Sequence, residues 1–374
     1  MTRPDVDGLD ALDTPFALVD ADRLDRNAAR LRDHLGSLGV PLRLHVKTAK
    51  SVEVARRVHG DGPITVSTLA EAEHFADAGY RDVLYAVGIA PHKLPRVAAL
   101  LRRGVTLTVL LDTLVQAEAV AEFARTEGLR VPALIEIDCD GHRGGVAPTD
   151  PALVPIGRAL GANLAGVLTH AGESYFAYTP DALHKAAQHE RDVAVEAATA
   201  LRDAGLTCDV VSVGSTPTAH AATDLAGVTE VRAGNYVFFD LVMAGIGVCS
   251  ADDLALSVVV TVIGHQRDRN RILTDGGWMA TSRDRGTQAQ AVDQGYGLVA
   301  DLHGDLVPGL LMTGASQEHG VLGTRNGEPV PDLPIGTRLR VLPNHACATA
   351  AQHDRYEVVS ATAPRRTWSR LRGW

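Results

Sequence analysis

Residues 42–68 read LRLHVKTAKSVEVARRVHGDGPITVST. A β-rich run (42–47) leads into a helical stretch, then a Gly/Pro break and a second β-rich run, ITVST (64–68). Strand, helix and strand in that order make one step of a parallel βα repeat. The alternation continues through DVLYAV (82–87), TLTVLLD (106–112), ALIEID (133–138), LAGVLTH (164–170), DVVSVG (209–214) and EVRAGNYVFF (230–239). Amphipathic stretches such as LAEAEHFADAG (69–79), LVQAEAVAEFARTEG (114–128) and PDALHKAAQHERDVAVEAATALRDAG (180–205) lie between them. The last opens with Pro180 and stops at Gly205, as helix start and stop rules prefer. Eight strands with intervening helices predict an α/β fold, a (β/α)8 TIM-type barrel over residues 21–245.

An earlier run, FALVD (16–20), has no place in a closed barrel of eight. Beyond residue 245 helical periodicity fades. Runs such as ALSVVVTVIGHQ (255–266), TRLRVLP (337–343) and DRYEVVSATA (354–363) alternate or are β-branched. They predict a mainly-β C-terminal domain over 246–374, which the N-terminal segment 1–20 joins as an extra strand.

Composition sets the outer bounds. The chain has 374 residues, 45% hydrophobic and 22% charged, with a formal net charge of −9. That balance excludes a nucleic-acid or anionic-membrane surface as the main function. The basic tail PRRTWSRLRGW (364–374) reads as a solvated terminus. No apolar run suggests a signal peptide or membrane span. Cys139, Cys208, Cys249 and Cys347 are too widely spaced for a disulfide framework, so a reducing cytoplasm is the expected compartment.

Only four lysines occur in the chain, against 32 arginines, and two of them are Lys47 and Lys50. Lys47 ends the first barrel strand, on the face where barrels carry their chemistry. A lysine there can form a Schiff base, because its amine loses a proton readily when desolvated, whereas a guanidinium does not. The same position also suits a solvated or salt-bridged rim lysine.

SVGSTPT (212–218) ends the seventh strand. Gly214, Ser215 and Thr216 offer backbone N–H groups and hydroxyls to a phosphate, or form an ordinary N-cap with Pro217 behind it. Gly234 and Asn235 of the eighth strand converge on the loops where TIM-type barrels customarily bind phosphate. In EIDCDGHRGGV (136–146), Arg143 can meet a carboxylate or phenolic oxygen, or stay in a surface salt bridge. In THAGESYF (169–176), Tyr175 can reach the barrel mouth or pack in the core.

PNHACAT (343–349) holds the sole His-x-Cys. In a strand, His345 and Cys347 would face one way and could share a metal, with Zn²⁺ preferred over Mg²⁺ or Ca²⁺. A buried structural cysteine beside an unrelated histidine is the other reading. QEHG (317–320) reads as a turn carrying Glu318 and His319.

These pieces, taken in order, resemble a known family. TPFALVDADRLDRNAARL, HVKT, HAGESY, GSTPT, RAGNYVFFD, TDGGWMATSRDRG, QEHG and PNHACAT are similar to the D-serine dehydratase / D-threonine aldolase group, fold-type III pyridoxal-phosphate enzymes with an alanine racemase-like barrel. The resemblance implies that FALVD belongs to the β domain and that Lys47 carries pyridoxal 5'-phosphate. It implies that GSTPT and the AGN of the eighth strand hold the cofactor phosphate, that Tyr175 lies near the pyridoxal ring, and that His345 and Cys347 hold a divalent metal. Ala49 stands where the family often has a polar residue. The implied activity is a lyase acting on a β-hydroxy D-amino acid, first as a D-serine dehydratase giving pyruvate and ammonia. The alternative is an aldolase giving glycine and an aldehyde, and a remoter one is a non-catalytic cofactor-binding protein. A homodimer is expected from the fold type.

Overall fold

The computed structural model describes residues 5–374, so the first four residues of the expected segment 1–20 lie outside the described part. The chain divides into two compact units. One runs from Arg30 to Gly234 with Gly373–Trp374, and the other holds the residues up to Ala29 and Asn235–Arg372.

Strand β1 is Phe16–Asp20. The next eight are β2 (Leu42–His45), β3 (Ile64–Val66), β4 (Asp82–Gly88), β5 (Thr106–Leu111), β6 (Ala133–Ile137), β7 (Leu164–Thr169), β8 (Val210–Val213) and β9 (Glu230–Ala233). All eight pair in parallel, and β9 closes onto β2 through Leu42↔Val231 and Leu44↔Ala233. This is the expected parallel eight-strand barrel.

Local chemistry sets where its helices start. Thr68 caps Leu69–Asp77, Thr113 forms a capping box with Gln116 ahead of Leu114–Glu127, and Thr179 caps Pro180–Asp203. In each, a hydroxyl oxygen accepts an N–H that has no partner inside the helix.

The eighth strand is shorter than the expected 230–239. It stops at Ala233 because the Asn235 carbonyl accepts from the N–H groups of Phe238 (3.0 Å) and Phe239 (2.8 Å), curling the backbone into a 3-10 turn. Gly234 marks the break. A Cβ there would lie 2.6 Å from the His45 carbonyl oxygen, so only glycine allows that approach.

In the other unit follow β10 (Leu256–Gln266), β11 (Arg271–Thr274), β12 (Gly297–Ala300), β13 (Leu306–Ala315), β14 (Gly320–Thr324), β15 (Arg338–Pro343), β16 (Arg355–Val359) and β17 (Arg366–Ser369). Their order is β11-β14-β13-β12-β15-β10-β1-β16-β17, and β10 also pairs with β11. Six strands thus return on themselves around a core of Val258, Val260, Val262, Ile272, Val299, Leu310, Met312, Leu322, Leu339 and Val341. Val258, Val260 and Val262 alternate along β10, the spacing that turns one face of a strand inward.

FALVD takes the place expected for it, antiparallel to β10 and parallel to β16. The basic tail is not simply solvated. It supplies edge strand β17, with Trp368 buried and paired with Tyr356.

Candidate functional site

In the barrel unit the functional side chains gather at the C-terminal ends of β2, β7, β8 and β9. Lys47 sits in the turn that leaves β2, and its N–H donates to His45 Nδ1 at 3.4 Å. Ser51 then caps the helix Val52–His59. The two lysines of this turn part company. Lys50 Nζ is 2.9 Å from the fully buried carboxylate of Glu71, a rim salt bridge.

Burial pushes the His45 imidazole well below its ordinary value, and the charges of Lys47 and Arg232 push it further. Burial, and then Lys47, lower His170 to about 3. Both rings are therefore neutral. His170 Nδ1 donates to the Gly214 carbonyl at 3.0 Å, which leaves Nε2 as the acceptor. The Tyr175 ring stands 6.4 Å from that of His170, centroid to centroid, and is partly buried.

Gly214, Ser215 and Thr216 lead from β8 into the short helix Thr216–Ala221. Ser215 acts as its N-cap: Ser215 Oγ accepts from the Thr218 N–H at 3.2 Å and bonds Ser174 Oγ at 2.9 Å. The capping reading of Ser215 therefore holds. Thr216 differs. Its Oγ1 is buried and has no hydrogen-bond partner among the described residues. An unpartnered hydroxyl beside a helix start is an acceptable donor for an anionic ligand oxygen, so these residues fit a phosphate.

Arg143 lies on the loop after β6, more than half exposed, with Nη2 3.2 Å from Glu136 Oε1. This is the surface salt bridge, one of the two readings of that position. Asn235 belongs to the unit that follows Gly234. Its Nδ2 donates to Asp240 Oδ2 at 2.6 Å, while its buried Oδ1 has no partner among the described residues.

Arg232 and Glu190 are among the buried charged residues that the sequence did not single out. Arg232 donates to Ser212 Oγ (2.7 Å) and to the Thr169 carbonyl (2.6 Å), and burial lowers it to about 10. Glu190 lies on the inward stripe of the helix Pro180–Asp203. A glutamate in step with Leu183, Ala187, Ala194 and Leu201 is the signal that could have exposed it.

The β unit carries the second set. His345 is not in a strand as expected: Pro343 ends β15, and His345 is the N-cap of the helix Ala346–Ala350, with Cys347 in its first turn. The two side chains still meet, through a hydrogen bond. His345 Nδ1 is 2.6 Å from Asp284 Oδ2. Burial disfavours the imidazolium, but Asp284 and the Cys347 sulfur outweigh it and push His345 up to about 11.

With Nδ1 tied to a carboxylate, Nε2 is the nitrogen left to bind a metal, which it can do only on losing its proton. Among the described residues no three His, Cys, Asp or Glu side chains are grouped to hold a metal. Imidazole plus thiolate fits a divalent ion whose other positions are open. Glu318 and His319 are exposed in the β13–β14 turn, where the Ser316 N–H donates to the His319 carbonyl at 2.8 Å. No helix among the described residues is long and apolar enough to cross a membrane.

Residues 19–242 match the model for the alanine racemase N-terminal domain, and residues 255–359 match that of a serine dehydratase domain. The chain is 56% identical to the D-threo-3-hydroxyaspartate dehydratase of Delftia sp. (strain HT23), over 98% of this chain and 100% of the relative. It is 29% identical to the D-serine dehydratase of Dictyostelium discoideum, over 95% of each. A solved cysteine-to-alanine mutant of D-threo-3-hydroxyaspartate dehydratase, in a metal-free form, superposes with a TM-score of 0.96 at 55% identity, covering 98% of this chain and 100% of that one. The chain belongs to the family of pyridoxal-phosphate lyases that joins an alanine racemase-type barrel to a serine dehydratase-type β domain, the group of the D-serine dehydratases and D-threonine aldolases.

Proposed function

We propose that this protein is a metal-dependent dehydratase of β-hydroxy D-amino acids, with D-threo-3-hydroxyaspartate its first substrate and D-serine its second. The observation that carries this reading is the 56% identity, over nearly the whole chain, to a relative named for that dehydration. On that support D-serine, the first expectation from the sequence, ranks behind the dicarboxylic substrate in this proposal.

In this reading Lys47 Nζ would hold the cofactor, and its amine would be the base that takes the proton from Cα of the substrate. Pyridoxal phosphate, when bound, supplies an electron sink for the carbanion at Cα. Thr216 Oγ1 and the Thr216 N–H would bind the phosphate. Gly234 lets the backbone come close, and Tyr175 and His170 border the ring. The neutral His170 offers Nε2 as an acceptor and adds no charge. Asn235 keeps the phosphate-binding role that the resemblance gives it, and Arg143, expected from the sequence among the cofactor-binding residues, would first have to leave its salt bridge with Glu136.

His345 Nε2 and the Cys347 sulfur would hold a divalent ion, most naturally Zn²⁺, whose Lewis acidity eases departure of the β-hydroxyl. Asp284 holds Nδ1, so that Nε2, on losing its proton, would be the nitrogen that meets the ion. The resemblance supports dehydration over aldol cleavage here, since the similar aldolases commonly carry a carboxylate where this chain has Cys347. A homodimer, which the fold type implies, would be read by sedimentation of the loaded enzyme.

The test is to incubate the purified protein with each substrate and follow products before chelation, after it, and after metal return. A 2-oxo acid and ammonia that vanish with the metal and come back with it support the dehydratase. Glycine and glyoxylate from 3-hydroxyaspartate would replace that reading with the aldolase.

A further inference from the structure

The helix Pro180–Asp203 turns Leu183, Ala187, Glu190, Ala194, Ala197 and Leu201 into the barrel unit. Five are apolar, and the glutamate among them is 2% exposed. A carboxyl group so placed is costly unless its oxygens are bonded. Glu190 Oε1 accepts from the Ala171 N–H at 2.8 Å and the Gly214 N–H at 3.0 Å, and the Thr218 hydroxyl bonds the same carboxyl group.

The positions of these partners give the contact its meaning. Ala171 follows β7 and Gly214 follows β8, beyond the last registered pair of those strands, Leu168↔Ser212. The carboxylate bridges the two chains where their own ladder has ended. Its third bond enters the first turn of the helix Thr216–Ala221. There Thr218 Oγ1 also accepts from the Ser215 N–H at 3.0 Å. One side chain from a distant helix therefore ties the loop of His170 and Tyr175 to the loop of Ser215 and Thr216. The His170–Gly214 bond lies inside the same bridge.

We propose that Glu190 is the positioning residue of the cofactor-phosphate loop, an inference that rests on the phosphate reading given above. It touches no reacting atom. By satisfying two buried N–H groups at once, it holds the Gly214–Thr216 backbone in the arrangement that receives the phosphate, and it keeps that loop in step with His170.

Pyridoxal phosphate and pyridoxal, which lacks the phosphate, separate this role from general support. Dissociation constants for both are measured on the cofactor-stripped full chain by the absorbance of the bound aldehyde, alongside thermal unfolding. Glu190→Leu should reduce the preference for the phosphorylated form about tenfold, with pyridoxal binding nearly unchanged. Glu190→Gln keeps an acceptor oxygen and should hold the preference within about threefold. Thr218→Val, which removes the third bond together with the Thr218 hydroxyl's bonds to Ser215 and serves if the leucine variant is not recovered folded, should reduce it about threefold.

A full preference surviving in Glu190→Leu, or in Thr218→Val where that variant stands in, overturns the role of Glu190 even if the melting temperature falls. Wild-type protein that holds both aldehydes equally overturns the phosphate-loop reading itself, and the proposal with it.

Discussion

His345 Nδ1 lies 2.6 Å from Asp284 Oδ2, although 61 residues separate them in the chain. The contact fixes the ring orientation before any metal arrives. Asp284→Asn should therefore weaken metal binding about 10- to 100-fold while leaving both proposed ligands in place. His345→Ala or Cys347→Ala should abolish retention through dialysis. Metal content and competition with a chromophoric chelator read both effects. Unchanged affinity in Asp284→Asn would show that the carboxylate merely pairs with a surface imidazole.

Lys47→Arg keeps the positive charge and removes the dissociable amine. It should lower kcat by about a thousandfold or more and abolish the visible absorbance of covalently held cofactor. Lys50→Arg, which keeps the bridge to Glu71, is the matching control and should retain that absorbance. Retention in both variants would remove Lys47 from its assigned role.

Acid should destabilise the protein sooner than its carboxylates alone would dictate. His170 titrates at about 3 in the fold, and His45 lies well below 6.5, both chiefly through burial. The unfolded chain thus binds protons that the folded one refuses. Their contribution is complete above about pH 6.5 and is lost as pH falls toward 3, at roughly 1.4 kcal/mol per pH unit for each ring. Between pH 7.5 and 5.5, urea unfolding of His170→Gln should lose about 1.4 kcal/mol less than the wild type. The buried carboxyl of Glu190, raised by burial, acts in the opposite sense and is present in both proteins, so it cancels in the difference. An identical pH dependence would mean that His170 is already charged in the fold.

Gly214 has φ +135°, and a Cβ there would overlap the Arg232 carbonyl. Gly214→Ala should cost about 3 kcal/mol or more by urea unfolding. Gly128→Ala, at φ +64° with nothing near the added carbon, should cost only about 1 kcal/mol. Equal losses would place the penalty in the backbone dihedral alone.

The barrel was legible because each strand is a short β-rich run flanked by cap and turn residues, signals that act locally. FALVD was legible by exclusion, since a closed ring of eight has no room for it. The end of β9 was not, because GNYVFF is as β-rich as a strand and only the turn bonds to Asn235 curl it. His345 was misplaced for a similar reason: the alternating run breaks at Pro343, and the helix that follows is too short to show a period. Lys47, the GST segment and the His-x-Cys pair were each open to a plain structural reading, and only their order along the chain, through the resemblance, singled them out. Glu190, Arg232 and Asp284 were not singled out, because their importance comes from partners remote in sequence.

Strand β1 pairs with β10 on one side and β16 on the other, so both of its neighbours are encoded after the entire barrel. On the ribosome, residues 16–20 emerge before the barrel strands and wait, without these partners, while β2 through β9 are made. The eight parallel strands need nothing from beyond Gly234 to close their ring, which makes them the earlier unit to assemble during synthesis. The waiting segment is short and ends in Asp20, a length and charge that limit its chance of joining another nascent chain's sheet.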